Sequence, residues 1–261
     1  SGSLETGYTF NPTETTIYTL TASQTSHAFC SANTSITVTV NPSPPSITIL
    51  PGDVTICEGT IQPLTATFGA SAAVNIVNEN FEGASGWTVT NTSVGGNVAN
   101  AAWTLRNSTY SYTSGTWTFN ASSNDASQFY MANSDAQGSP SSNLTRTTLE
   151  SPTFSLDGYS SAGINFWHYL RWITGNKAHV EISIDNGATW TLVGAYTGIQ
   201  GGASNFVNRI IDISPYVGNS FVKIRFLFEA TWDYGWAIDN VRVFGVVATA
   251  VNWSPITDLY T

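Results

Sequence analysis

The 261 residues carry 8 Lys and Arg against 17 Asp and Glu, a formal net charge of -9 with the histidines neutral. Such a balance repels phosphate backbones and anionic bilayers, so nucleic acid and an anionic membrane surface are excluded as partners. The same chain is 41% hydrophobic and 13% aromatic, enough to build a packed core, and its wealth of Thr, Ser, Val, Ile and aromatic residues favours β-structure over helix.

Taken in order, the chain is built from two materials. All eight Lys and Arg residues fall between Arg106 and Arg242, and eight of the nine Trp fall between Trp87 and Trp236. Residues 1–78 and 246–261 contain no Lys or Arg. In the first material, "TIYTLTA" and "SITVTV" alternate with the period of a half-buried strand. "NPSPPS" then interrupts, since consecutive prolines cannot pair inside a sheet, and it reads as an extended linker. "SITIL", "DVTIC" and "IQPLTATF" resume the strand pattern, and "AVNWSP" near the carboxyl end adds one more. The boundaries expected from composition are 1–44, 45–78, 79–245 and 246–261.

In the central block, "GINFWHYLRW", "HVEISI", "TWTLVGAY", "VNRIIDIS", "FVKIRFLFEA" and "GWAIDNVRVF" are strands bounded by Gly, Asn, Ser or Pro. The pattern predicts a jelly roll of two antiparallel sheets with first and last strands side by side. The fold class expected for the whole chain is all-β. No apolar run approaches the roughly 18 residues of a membrane span, so membrane insertion is not expected. The two cysteines, Cys30 and Cys57, form no CxxC or Cys/His cluster, which argues against zinc.

Two resemblances sharpen this reading. "ICEGTIQPLTAT", "VNWSPITDLYT" and "YTFNPTETTIYTLTA" resemble, in permuted order, the immunoglobulin-like repeats of secreted surface proteins from Bacteroidota. Joining the carboxyl end to a second copy of the amino end restores the usual order. The resemblance implies one period of a tandem array, an Ig-like sandwich split by an inserted domain, with neighbouring copies as head-to-tail partners. An arbitrary fragment spanning two different Ig-like domains remains the alternative. Under the array reading, Cys57 pairs with Cys30 of the following copy as an inter-sheet disulfide. Pairing with cysteines outside this chain, or a direct Cys30 to Cys57 bond, stay open.

The inserted block, with "NFEG…GW", "FYMANSDAQG…LESPTFSLDGY", "VEISIDNGATWTLV" and "GWAIDNVRV", resembles MAM-type jelly rolls and the cleaved-adhesin domains of gingipain-like proteins. That resemblance implies an extracellular adhesion or assembly module exported to the cell surface by the type IX route, not an enzyme. It also implies a structural calcium ion held by Glu82, Asp135 and Asp239, with backbone carbonyls near Asn80 completing the shell. The alternative for these carboxylates is that Glu82 caps a turn and Asp239 bonds to backbone.

"SIDNGATW", Ser183 to Trp190, resembles the Asp-box of sialidase propellers, where the box is a hairpin turn remote from catalysis. It lies between two strands, so Asp185, Asn186 and Gly187 are expected to form a turn over Trp190. Three scattered histidines and a lone pair of nearby acids, Glu229 and Asp233, make no catalytic constellation. The rival to a structural and adhesive repeat is a carbohydrate-binding, lectin-like module presenting aromatics to surface glycans. Its candidates are Trp167 and Tyr169, which share one strand face, and Trp232, Tyr234 and Trp236, which share one if their strand is regular. An exposed row supports that reading and a buried row removes it.

Overall fold

The computed structural model describes residues 12, 16–24, 27–38, 40, 46–68, 73–83, 85–139, 142–173 and 175–247. Two compact units divide the chain, Ser1–Ser71 and Ala72–Thr261. The strand expected around "AVNWSP" lies outside the described residues, as do the linker residues 41–45.

In the first unit, β1 (Thr16–Gln24) and β2 (His27–Val38) form an antiparallel hairpin with Tyr18 opposite Ile36 and Leu20 opposite Thr34. Residues paired across strands share a face, and alternate residues along a strand do too. Tyr18, Leu20, Ala22 and Ile36 therefore make one apolar face, and Thr19, Thr21 and Ser35 lie on the opposite one. A second hairpin joins β3 (Ile47–Leu50) to β4 (Thr65–Phe68), placing Ile47, Ile49 and Ala66 on one face. Leu20 is 49% exposed, Ile36 63%, Ile47 53% and Ile49 47%. Among the described residues, no further strand pairs with either hairpin.

The second unit is a two-sheet antiparallel sandwich. Its strands are β5 (Ala73–Glu79), β6 (Thr88–Asn91), β7 (Thr104–Arg106), β8 (Tyr110–Ser114), β9 (Trp117–Ala121), β10 (Phe129–Asn133) and β11 (Thr145–Glu150). They continue through β12 (Tyr159–Arg171), β13 (Lys177–Ser183), β14 (Thr191–Tyr196), β15 (Val207–Asp212), β16 (Lys223–Ala230) and β17 (Gly235–Val247). One sheet runs β15-β12-β17-β10-β7, with β5 also on β17, and the other runs β14-β13-β16-β11-β6. The first strand, β5, lies beside the last, as a jelly roll requires. The sandwich thus begins at Ala73, ahead of the boundary expected from composition.

Alternation sorts the side chains of each strand. From β12, Ile164, Phe166 and Leu170 face inward; from β17, Trp236, Ile238, Val241 and Val243; from β16, Ile224, Phe226 and Phe228. All belong to the buried core between the sheets. Trp236 is its centre, fully buried with ring contacts to Trp103, Phe226, Phe228 and His168. Burying an aromatic of this size contributes roughly 2–3 kcal/mol from transfer alone.

A second core lies on the outer face of the β12–β17 sheet. The β8–β9 hairpin folds over that face, so that Phe119 stacks on Tyr169 with centroids 5.3 Å apart and planes 9° from parallel. Phe129, Met131, Phe206 and Ala237 complete the cluster, with Trp167 and Tyr234 packed against it.

The outer face of the other sheet is polar. Across β11, β16 and β13, Arg146, Glu229 and Lys177 form one row and Glu150, Arg225 and Glu181 another. Lys177 Nζ is 2.6 Å from Glu229, Arg225 Nε is 2.6 Å from Glu181, and Arg146 Nε is 3.5 Å from Glu229. The ring of Trp190 lies under the Arg225 guanidinium at 4.3 Å.

Candidate functional site

The site grows out of a change of partner along β17. Its first half pairs with β10 (Tyr130 opposite Ile238) and its second half with β5 (Val241 opposite Glu79). Asp239 and Asn240 stand at the changeover, and Asn240 takes the left-handed conformation, φ 49°. Alternation from Ala237 puts Asp239 on the outer face, and the irregularity after it turns Val241 back into the inter-sheet core; the segment 122–128 between β9 and β10 closes over Asp239, which is fully buried.

The closing segment bears oxygen at every second side chain. Ser123 and Ser127 donate their hydroxyls to Asp239 Oδ2, Ser127 at 3.2 Å. Both also lie within hydrogen-bond distance of Asp125 Oδ1, Ser123 at 2.7 Å, so each hydroxyl proton is shared between the two carboxylates. Asn240 donates its amide to Asp125 Oδ2 at 2.8 Å, and its N–H to Asp239 Oδ1 at 2.7 Å. Glu82 reaches the same segment by accepting the N–H of Gln128, while its own N–H donates to Asn80 Oδ1 at 3.2 Å. Upstream, Glu79 accepts from Phe81 N–H and Ser85 Oγ, which holds Phe81 buried at φ 58°.

The two aspartates differ in acidity. Burial pushes Asp239 up to about 6; the Ser123 hydroxyl and the Asn240 N–H oppose this, and the charge of Asp125 adds to it. For Asp125 burial also works against ionisation. There the Ser127 hydroxyl, the Asn240 amide and the Ser123 hydroxyl prevail and bring the carboxyl down to about 2. Two carboxylates, two hydroxyls and the nearby Glu82 supply only hard oxygen donors, the kind a calcium ion takes. Among the described residues, no three acidic, His or Cys side chains form a ready metal cage, so any such ion depends on the serine and backbone oxygens as well.

Asp135 does not belong to this group. It lies just past β10, in the helical turn Ser134–Gln137 capped by Asn133. Asn133 pairs with Gly235, four residues before Asp239, on the order of 13 Å away along the strand. Its charged neighbours are Asp233 and Arg171. Asp125, which joins the cluster instead, was missed in the sequence. The signal for it is the alternation Ser123-x-Asp125-x-Ser127, which puts oxygen ligands at every second position of a loop.

The aromatic candidates also separate. Trp236 is buried in the inter-sheet core and faces away from Tyr234, which packs on the other side of the sheet. The expected shared face fails because the backbone before β17 is irregular, with Trp232 at φ 46°. Trp167 and Tyr169 do share the outer face, but the hairpin of Phe119 covers it; Tyr169 is 6% exposed. A row of exposed sugar platforms is not formed there: Trp167 and Tyr234 are half-buried, and of the five candidates Trp232, at 47%, is the one exposed. The Arg171 guanidinium lies 3.8 Å above the Tyr234 ring.

The segment Ser183–Trp190 forms the expected turn. Asp185 accepts from the Thr189 N–H at 2.8 Å, the Thr189 hydroxyl at 2.5 Å and the Ser183 hydroxyl at 2.7 Å. Asn186 and Gly187 both have positive φ. These bonds, led by the Thr189 hydroxyl, lower Asp185 to about 2. Cys57 is exposed with a free thiol; Cys30 lies on β2, and its side chain is outside the described residues.

No family model matches the chain, and no curated protein matches it. Among solved structures it is similar to the K1 cleaved adhesin domain of Lys-gingipain from Porphyromonas gingivalis, at 14% identity over 66% of this chain and 97% of that one, TM-score 0.44. It is also similar to TmCBM61 in complex with β-1,4-galactotriose, at 17% identity over 62% and 89%, TM-score 0.35. A third is the CBM22-1 xylan-binding domain from Paenibacillus barcinonensis Xyn10C, at 11% identity over 69% and 100%, TM-score 0.39. The fold is that of an all-β chain with a two-sheet jelly-roll sandwich. No helix among the described residues is long and apolar enough to cross a membrane.

Proposed function

We propose that the chain is a structural and adhesive repeat unit of an extracellular surface protein, in which strands of the first unit complete a shaft with a neighbouring copy and the sandwich is its adhesive domain. The observation that carries this reading is the pair of exposed apolar faces on the two hairpins, Leu20 and Ile36 on one and Ile47 and Ile49 on the other. An isolated two-stranded hairpin is marginal in water, and exposed apolar faces of this kind mark contact surfaces. A head-to-tail neighbour supplies matching faces, and the free thiol of Cys57 is available for a bond to Cys30 of the next copy.

In this reading the sandwich is non-catalytic and is stabilised by a calcium ion. Asp239 and Asp125 hold it, with the hydroxyls of Ser123 and Ser127 and backbone oxygens, Glu82 adding negative charge from its bond to Gln128, and the ion supplies charge neutralisation for the buried Asp239. It pins the segment 122–128 over the β12–β17 sheet.

The experiment is amide hydrogen exchange on one copy and on two copies fused in tandem. The expected result is protection of β1 to β4 at the junction that the single copy lacks. Equal exchange in both forms overturns the reading.

A further inference from the structure

One end of the sandwich brings together groups that neither the oxygen cluster around Asp239 nor the two cores use. Asp233 organises it. Its carboxylate accepts the N–H groups of Ile173 and Tyr234, both at 2.8 Å, and the amide of Asn176. Its own N–H donates to Ser134 Oγ at 3.3 Å. Those bonds hold the preceding residue, Trp232, in a left-handed conformation that bulky side chains adopt only when their surroundings impose it. Trp232, with its indole exposed, thus precedes in the chain the residue whose N–H is bonded to Ser134, in the turn that carries Asp135.

Asp135 is 5% exposed, and its Oδ2 has no hydrogen-bond partner. A buried carboxylate oxygen without a donor is costly, and each such group in a folded protein calls for an explanation. Arg171, whose charge acts on Asp135, lies over the ring of Tyr234. Exposed Ile173, at 60%, adjoins them through its bond to Asp233.

We propose that this end of the sandwich binds a neutral saccharide, with Trp232 as the stacking platform, Asp135 accepting from a sugar hydroxyl and Arg171 donating to another. The chemistry decides among ligands. An apolar ligand covers Trp232 and leaves Asp135 unpaired. An organic cation meets the charge of Arg171, and an anion meets those of Asp135 and Asp233. A pyranose ring offers a C–H face to the indole and hydroxyls that both donate and accept, the pairing of apolar wall and few polar groups that small-ligand sites use. The site uses none of the residues of the repeat contact or of the oxygen cluster, so it stands or falls apart from them.

The test is isothermal titration of the whole chain with cellohexaose, xylohexaose, maltohexaose and mannohexaose at millimolar concentration, with tetramethylammonium as a cationic control. The expected result is saturable binding of at least one oligosaccharide. Trp232→Ala weakens it about tenfold, the loss of one aromatic contact, with an unchanged melting temperature, and Asp135→Asn weakens it too. Because Asp135 is buried, its variant is read only if it melts cooperatively; the exposed Trp232 carries the test otherwise. The proposal is overturned if none of the four sugars saturates, if binding is undiminished in Trp232→Ala, or if tetramethylammonium binds more tightly than every sugar.

Discussion

Replacing Asp239 with Asn probes the oxygen cluster most directly. The native carboxyl titrates at about 6 against 3.8 for an ordinary Asp. Between those values the folded state holds a proton that the unfolded state has lost, so stability falls as pH rises through 3.8 to 6, and the penalty is complete above that window. Two units correspond to about 3 kcal/mol. Asp239→Asn escapes that penalty at pH 8 but loses one acceptor for the serine hydroxyls, about 1 kcal/mol. In chelator the variant is therefore more stable than the native chain by about 1–2 kcal/mol at pH 8, and less stable at pH 4. For a domain of this size the pH 8 difference is about 3–6 °C in Tm. Calcium at a hundred times its Kd adds about 2.7 kcal/mol to the native chain and nothing to the variant. The assay is thermal unfolding followed by Trp fluorescence, which reports on the sandwich because eight of the nine Trp lie in it or its loops. A native-to-variant difference that is equal at pH 4 and pH 8 in chelator refutes the titration argument, and an equal response of both proteins to calcium refutes the placement of the ion.

Three further outcomes are expected. His168 is fully buried, accepts the Trp236 Nε1–H on Nδ1 at 3.0 Å, and is held down to about 3 by burial, with the charge of Arg209 adding to it. Its neutral form is favoured in the folded state, so it costs the native chain about 4–5 kcal/mol as pH falls from 6.5 to 3; His168→Leu should flatten that part of the urea-midpoint profile. Trp236→Ala empties the centre of the core and should lower stability by about 3–5 kcal/mol in urea titration. Glu229→Gln removes the shared partner of Arg146 and Lys177, and since both cations are half exposed the loss should stay near 1 kcal/mol and shrink at high salt.

Much of the sandwich was legible in the residues because its strands alternate cleanly and end at turn formers: β12 to β17 fall where the pattern puts them, and Asn186-Gly187 makes the turn its φ preference demands. The start was harder. "AVNIVNE" breaks alternation at Ile76-Val77, where its pairing with β17 shifts register, and it lacks the basic residues and tryptophans that mark the rest of the sandwich, so composition assigned it to the other unit; only pairing with β17 reveals where it belongs. Alternation also tells which side chains share a face without telling what covers it. Trp167 and Tyr169 look like a platform until the β8–β9 hairpin is seen lying on them. The oxygen cluster failed in part for a related reason. Asp125 and Asp135 are ten residues apart in acid-poor surroundings, and only the length of β10 between them decides which one reaches Asp239.

The two charged rows across β11, β16 and β13 act as a proofreader of strand alignment. A slip of β16 by one residue turns its apolar side chains to water, so only even slips keep the core buried. A slip of two breaks both rows in one direction; in the other it sets Lys223 between Glu150 and Glu181 but leaves Arg146 and Lys177 facing Leu227. A slip of four in one direction sets Arg225 between Arg146 and Lys177; in the other it sets Glu229 between Glu150 and Glu181. Like charges directly opposed across strands repel. The native register is the alignment in which both rows alternate in sign, so the surface ions help select which alignment the central strand keeps.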